Sequence, residues 1–389
     1  MHVIEPEKVG FDAGRLAAVA DMAQRDIDAG RYDGATLAVG RRGELAALDA
    51  VGFADRAAGT DLTPDTRFVA FSIAKQFTNV VVLRWVERGL LSLYEPVADV
   101  LPEFGQRGKE RVALWHLLTH TGGVFSGIPP LPPEDLMRFE AWTEYACGAR
   151  LENPPGSRVV YSLLAGHAVM ASMVVATDPA GRSFRRIVAE ELLEPLGMTS
   201  TSLGPPTDGV PVAPVVARYG RDAGLFTPAE VESLGPLVLA EGSEIPGGGF
   251  VTTVGDLHRF ADMLRGGGER GGTRILSPVT VDLVQRPMSG AGSNSLLDYA
   301  TEMRNWQPFP ANVGIGFFVR GEQLSPGPLP NLGSPATFGG WGAGTSCFWI
   351  DPVRDVCFSL ITTGVMEDSD HVARVQKLSD MALAALVER

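Results

Sequence analysis

Cysteine is scarce in this chain. Cys147, Cys347 and Cys357 are its only examples. The odd count and the lack of any Cys-x-x-Cys spacing argue against a disulfide framework and against a thiolate zinc site. Free buried thiols in a reducing compartment are the expectation. Long apolar runs are missing too. No stretch approaches the roughly 18–20 apolar residues that cross a bilayer. The opening MHVIEPEKVGFDAGRL has no basic stretch followed by an apolar one, so it does not read as a signal peptide. The expectation is a cytoplasmic protein with no membrane partner. Lysine is confined to Lys8, Lys75, Lys109 and Lys377, and no Lys/Arg cluster or basic stripe occurs. With a net charge of −13 this argues against a nucleic-acid partner. No Gly-x-Ser-x-Gly elbow, no P-loop and no Gly-x-Gly-x-x-Gly after a strand is found. An ordinary α/β-hydrolase and a nucleotide-binding fold are thereby disfavoured.

What is present suits a full hydrophobic core. The chain has 389 residues, of which 45% are hydrophobic and 20% charged. That length allows one large domain or two intimately joined ones. Residues 11–29 carry Leu16, Val19, Met22 and Ile27 at helical spacing, which predicts an amphipathic helix. Two strand-like runs, 34–40 and 44–53, flank Arg41-Arg42-Gly43 and predict a hairpin. A strongly apolar helix is expected from Ser72 to Glu87, with Gly89 as its stop. Further helices are expected at 112–119, 162–176, 183–194 and 255–265, with loops at 128–134, 204–216 and 289–295. Residues 313–320, 345–350 and 356–363 are rich in β-branched and aromatic residues and read as strands. A last helix is expected over 370–387. Strands at both ends around a helical middle predict an α/β (α+β) architecture. One mostly antiparallel sheet is built from both chain ends, with the terminal helices on one face.

The chemistry is concentrated at Lys75. The other lysines sit in polar sequence contexts, whereas Lys75 lies among Phe71, Ile73, Ala74, Phe77 and Val80. An ammonium there costs desolvation energy unless paired, and burial depresses its pKa toward neutrality. Ser72 stands three residues earlier, on the same helical face. At a helix start its own backbone N–H is free and the dipole favours an oxyanion. Nucleophile, base and part of an oxyanion site thus fall within one turn. By itself Ser-x-x-Lys is a weak signal. Ser72 as a plain N-cap and Lys75 reaching solvent remain the competing reading. His116 and His120 stand four apart, but no third ligand completes a metal site; they read as structural residues of a helix-to-loop turn.

Beyond this motif the sequence resembles the serine β-lactamase and penicillin-binding-protein-like hydrolases, in the branch of class C β-lactamases and family VIII carboxylesterases. FSIAKQFT (71–78), WHLLTHTGG (115–123), PPGSRVVYSLLAGHAV (154–169), EPLGMTST (194–201), GGGFVTTVGDLHRFADML (247–264) and FGGWGAGTSCFWIDP (338–352) are similar to its segments, in the same order. The resemblance implies Ser72 as nucleophile, Lys75 as its partner and Tyr161 as a phenolate-like base. A tyrosine beside Lys75⁺ is expected to have a lowered pKa. It also implies a β-lactamase-like fold of two parts, residues 1–60 with 305–389 forming the sheet and 61–304 a mostly helical part. Two departures matter. Leu163 stands where lactam-acting members have Asn. The third motif, Gly339-Gly340-Trp341-Gly342, lacks the lysine of Lys-Thr-Gly. Both features are similar to the carboxylesterase branch. The implied substrate-binding set is Gly340, Trp341, Gly342 and Ala343, with the Ala343 N–H (or that of Gly342 in the other register) completing the oxyanion hole and Trp341 as a pocket wall.

The expectation is therefore a serine carboxylesterase acting on small acyl esters, with no metal or cofactor and with the assembly state, homo-oligomer included, left open. The alternatives are amide hydrolysis of β-lactamase or DD-peptidase type, acyl transfer, or a non-catalytic binding or self-assembling homologue. The pocket walls are expected from loops 124–140, 204–250 and 290–312.

Overall fold

The computed structural model describes residues 1–220 and 226–388. The first helix, α1 (Ala13–Asp28), starts where Asp12 accepts the Arg15 N–H at 2.8 Å, and it buries Leu16, Val19, Ala23 and Ile27. The hairpin follows as β1 (Gly34–Arg41) and β2 (Glu44–Asp55). Its two linking residues, Arg42 and Gly43, both have left-handed backbones, with φ of 56° and 83°. That is the turn whose twist matches a two-residue hairpin.

The remaining strands of the main sheet are β3 (Thr60–Asp61), β4 (Phe318–Val319), β5 (Phe338–Gly342), β6 (Ser346–Asp351) and β7 (Val356–Thr363). The seven strands are ordered β3-β2-β1-β7-β6-β5-β4, and every pairing is antiparallel. The seam between the chain ends is β1 against β7, with Leu37 opposite Leu360. Successive residues of β7 serve opposite faces, as the strand period requires. Val356, Phe358 and Leu360 pack with α1 and the last helix, whereas Cys357 and Ile361 pack with the helical body of the chain. Both faces are covered, which is why these strands read as unbroken apolar runs.

The helices that bear on the site are α2 (Ala74–Glu87), α3 (Leu114–Leu118), α4 (Phe139–Gly148), α5 (Ala165–Thr177), α6 (Pro228–Leu239), α7 (Val254–Arg265) and α8 (Asp368–Ala384). A 3-10 turn, Phe71–Ile73, leads into α2, so the α-helix proper begins two residues after Ser72. Helix α2 stops at Gly89, whose φ of 70° lets the Leu90 N–H return to the Trp85 carbonyl at 2.9 Å. The expected helix at 183–194 is α-helical only over Phe184–Val188 and continues as a π-turn through Leu193. Among the described residues no helix is long and apolar enough to cross a membrane.

Two expectations need correction. The strand foreseen over 313–320 is reduced to β4, because Gly316 (φ 81°) turns the backbone toward α2. The Gly316 carbonyl there accepts the Asn79 side-chain N–H at 2.8 Å. Lys109 is buried despite its polar sequence context. Its Nζ donates to the carbonyls of Cys147 at 3.0 Å and Ala149 at 2.6 Å.

Strand β5 lies against the turn that carries Ser72. A Cβ added at Gly342 would sit 2.5 Å from Ser346 Oγ and 2.7 Å from the Ala70 carbonyl. Ser346 Oγ itself donates to that carbonyl at 3.2 Å. Glycine therefore sets the spacing between the sheet edge and the nucleophile turn. Gly342→Ala is expected to lose about 1–3 kcal/mol of stability through overpacking. The check is thermal unfolding together with labelling of Ser72 by a fluorophosphonate. An unchanged midpoint and labelling rate would show that the spacing is slack.

Candidate active site

Ser72 enters the site from a strained step. Phe71, immediately before it, has φ of 50°, a backbone region that bulky residues rarely adopt. The 3-10 turn then aims Ser72 toward Lys75 of α2, whose Nζ donates to Ser72 Oγ at 3.3 Å. The same nitrogen donates to the Gly247 carbonyl at 2.7 Å. Thr78, three residues along α2, donates to the neighbouring Pro246 carbonyl at 2.8 Å. The 246–247 backbone is thus fastened to α2 and supplies the partner that holds the amine.

Lys75 is 1% exposed. Burial lowers its ammonium from the ordinary 10.5 to about 7. An amine in this state is partly unprotonated at neutral pH and can take a proton from a hydroxyl.

Tyr161 converges on the same point. Lys75 Nζ stands 4.9 Å from the centre of its ring. Its phenol pKa is not lowered, as the sequence suggested, but raised. Burial is the largest cause, the Ser72 hydroxyl offsets it in part, and the Asp368 carboxylate adds to the rise. The correction has a plain reason. The phenol is wholly enclosed, and the cost of burying a phenolate there outweighs what its hydroxyl neighbour offers. The Tyr161 ring stacks on His120, with centres 4.4 Å apart and planes at 24°. His120 in turn lies 5.7 Å from the ring of His167, and His167 Nε2 pairs with Asn79 Oδ1 at 3.1 Å. Burial, with the Lys75 charge second, lowers His120 to about 3, and the same causes hold His167 well below its ordinary range. Both imidazoles are neutral.

His116 faces elsewhere and its Nδ1 accepts the Ala113 N–H at 3.0 Å, closing the start of α3. Among the described residues no group of three or more His, Cys, Asp or Glu side chains is arranged to hold a metal ion.

A cavity of about 170 Å³ opens beside Ser72. Its walls are mainly apolar and include Trp142, Leu163, Leu234 and Val238, with Ala343 near Ser72. Loop 124–140 contributes Ile128 and Leu136, and the 204–250 region contributes Phe226 through Gly248, of which residues 221–225 lie outside the described part. Residues 290–312 do not line it, contrary to expectation. Gly340 and Trp341 do not line it either. Trp341 points to the α8 side of the sheet, stacked on His371 with ring centres 5.9 Å apart.

Sequence reasoning placed the 204–250 region in the pocket wall and read His120 as structural, but it did not foresee helix α6, the Gly247 carbonyl as acceptor for Lys75, or the stacking of His120 on Tyr161. Helix α6 carried a readable signal, since Thr227 and Glu230 form a capping box with Pro228 at the first helical position. The Gly247 carbonyl carried none, because a backbone acceptor has no sequence signature.

The profile described as "Beta-lactamase" matches residues 19–380. The chain belongs to the beta-lactamase family. Within the family it is similar to the esterase/beta-lactamase LipL of Mycobacterium tuberculosis, at 27% identity over 85% of this chain and 77% of that protein. Its fold is similar to a penicillin-binding-protein homologue from Caulobacter crescentus, with a TM-score of 0.78 and 25% identity over 96% of this chain and 98% of the other. It is likewise similar in fold to a family VIII carboxylesterase, with a TM-score of 0.77 and 20% identity over 97% of this chain and 99% of the other.

The Lys75 environment makes a quantitative expectation. Labelling of Ser72 by a fluorophosphonate should accelerate as pH rises through about 7, where Lys75 loses its proton, and then level off. Lys75→Arg, which cannot deprotonate, should slow labelling by about 100-fold or more and remove that midpoint. A flat wild-type profile between pH 5 and 9 would disprove the neutral-amine assignment.

Proposed function

We propose that the protein is a serine carboxylesterase that hydrolyses small, uncharged acyl esters through a Ser72 acyl-enzyme. The observation that carries the reading is the convergence of Lys75 and Tyr161 on Ser72, which lines an apolar cavity in whose wall, among the described residues, no lysine or arginine stands. LipL, to which the chain is similar, is named both esterase and beta-lactamase, so kinship alone does not choose between the two activities. Leu163 favours the ester. It lines the cavity where lactam-acting relatives carry an amide, and Trp341 stands in the motif where they carry a lysine to hold a carboxylate.

The steps follow from the protonation states. The unprotonated Lys75 amine accepts the Ser72 proton as Oγ attacks the ester carbonyl. Tyr161, with its pKa raised, stays a neutral phenol. Its hydroxyl relays the proton from Lys75 to the departing alkoxide instead of holding a negative charge. The tetrahedral oxyanion is held by the backbone N–H groups of Ser72 and Ala343. The acyl group rests in the cavity, and water enters on the side vacated by the alcohol to release the acid. On this reading the site lies between a sheet part, residues 1–60 with 305–389, which supplies Ala343, and a mainly helical part, 61–304, which supplies the three side chains.

The test is hydrolysis of p-nitrophenyl acetate and butyrate, with nitrocefin in parallel, by wild type and Ser72→Ala. Both esters are expected to turn over, nitrocefin to be cleaved at least about 100-fold less efficiently, and Ser72→Ala to lose ester turnover by about 10⁴-fold or more. Brisk nitrocefin cleavage would move the protein to the lactamase side. Undiminished turnover in Ser72→Ala would end the mechanism. The cavity adds a second expectation. Val238→Phe should depress butyrate turnover more than acetate, and equal effects on the two would place the acyl chain elsewhere.

A further inference from the structure

We propose that His120 is the positioning residue of Tyr161, an inference that rests on Tyr161 serving as the proton relay. His120 meets the segment around Tyr161 at three points. Its backbone carbonyl accepts the N–H of Val160, the residue before Tyr161, at 2.9 Å. Its ring Nδ1 accepts the N–H of Ser162, the residue after Tyr161, at 3.2 Å. Its ring face lies against the phenol ring, with centres 4.4 Å apart. One residue thus brackets Tyr161 from both chain directions and from one flat side. A phenol with two soft torsions and no such support would sweep its hydroxyl through distances larger than a relay tolerates.

The local backbone is built for this contact. His120 has φ of 55°, a left-handed conformation in which Asn, Asp and His are enriched and most other side chains are strained. That conformation presents both the carbonyl and the ring to the 160–162 segment. With Nδ1 acting as acceptor, the ring proton is assigned to Nε2. The ring is also keyed to the helix that carries Lys75. Asn79, one turn beyond Lys75 on α2, fixes its amide by donating Nδ2 to the Gly316 carbonyl at 2.8 Å, and its Oδ1 faces His167 Nε2 at 3.1 Å. His167 lies against His120, which lies against Tyr161. The two proton carriers, Lys75 and Tyr161, are thereby registered to one another through a column of rings and an amide, apart from their own contact.

The two rings in that column are neutral, and this is what lets them serve. A second positive charge here would repel the Lys75 proton and displace the Tyr161 hydroxyl. His116, four residues earlier, makes a useful contrast. It bonds to its own helix start and its ring stacks on Trp115.

The experiment compares His120→Ala, His120→Asn, Tyr161→Phe and His116→Asn with wild type. Turnover of p-nitrophenyl butyrate is divided by the number of sites titrated with a fluorophosphonate, so that misfolded molecules are not counted. In His120→Ala, kcat per site should fall about 10- to 100-fold with KM changed by about twofold or less. His120→Asn should recover a substantial part of that loss, because its amide oxygen can accept the Ser162 N–H and asparagine tolerates the left-handed backbone. His116→Asn should keep the wild-type kcat per site even if its melting midpoint drops. Wild-type kcat per site in His120→Ala, or a loss confined to KM, would overturn the positioning role. A loss that His120→Asn does not relieve at all would overturn the Ser162 contact as its basis. If His120→Ala fails to fold, the comparison is read from His120→Gly, which tolerates the left-handed backbone but has no side chain to meet Ser162 or Tyr161; wild-type kcat per site there would overturn the role. Tyr161→Phe separates the two levels. If it keeps wild-type turnover, the relay reading fails and the positioning role falls with it. If it is slow while His120→Ala is not, only the positioning role fails.

Discussion

The site depends on one costly act, the burial of a lysine amine without a counter-ion. A pKa of about 7 against an ordinary 10.5 corresponds to a penalty on the order of 5 kcal/mol for keeping Lys75 protonated inside the fold. The unfolded chain holds that proton up to about 10.5 and the native chain only up to about 7. The burden this group places on the fold is therefore full below about 7 and shrinks progressively as pH rises toward 10.5. The rest of the structure absorbs the burden. Apolar packing around α2 is dense, with Phe77, Val80, Val81, Val82 and Trp85 fully buried. A backbone carbonyl, not a carboxylate, receives the amine. A carboxylate in that place would stabilise the ammonium and abolish the base. Gly247 can hold the nitrogen in place while leaving its proton labile.

The opposite wall of the site is set by spacing and not by charge. The β5 edge approaches the Ser72 turn only because Gly342 has no side chain there. Behind it, α8 grips the turn that joins β5 to β6. Arg374 donates to the Gly344 carbonyl at 3.0 Å, and His371 Nε2 lies 3.2 Å from the Ser346 carbonyl. Arg374 is itself buried, with its guanidinium 4.4 Å from the centre of the Tyr32 ring. The backbone that carries Ala343 is therefore tied to the layer formed by the two terminal helices. Through that layer it is tied to the hairpin at the start of the chain, and the two ends of the sequence meet to fix a position in the middle of the site.

How far this could be read in the sequence follows from the range of each interaction. Ser72 and Lys75 share one turn, so spacing alone brought them together. The strands β1, β2, β6 and β7 were visible because a sheet covered on both faces leaves apolar runs. The antiparallel arrangement followed from the hairpin spacing of the strands. Tyr161 was reached only through resemblance, since nothing in PPGSRVVYSLL says that its ring will arrive beside Lys75. The direction of its pKa was misjudged because a charged neighbour can be read from a sequence and desolvation cannot. Lys109 escaped notice for the same reason, its burial being satisfied by two carbonyls far along the chain. Trp341 was expected in the pocket wall. Strand alternation sends it to the other face, and the face of a strand is settled by partners that lie outside it.

The electrostatic character of the site bears on its chemistry more directly than any single contact. His120 and His167 are neutral by burial, Tyr161 is kept from ionising, and among the described residues the cavity lining offers no cation. Lys75 exchanges a proton near neutrality, and so does Asp368 beyond Tyr161, whose carboxyl is lifted to about 7 by burial with the Glu367 charge adding to the rise. The described walls hold no cation to bind a substrate carboxylate, and a charged substrate set against them would lose its hydration without compensation. An uncharged ester loses little on entering and gains from burial of its acyl chain. Its negative charge appears only as the carbonyl becomes tetrahedral, beside the Ser72 turn and the Ala343 backbone. Interactions that act on charge formed in the transition state, and not on charge brought in by the substrate, raise the rate without being spent on binding. Leu163 in the cavity wall works in the same direction: it offers no amide to hold a polar ground state and leaves the proton-transfer apparatus untouched.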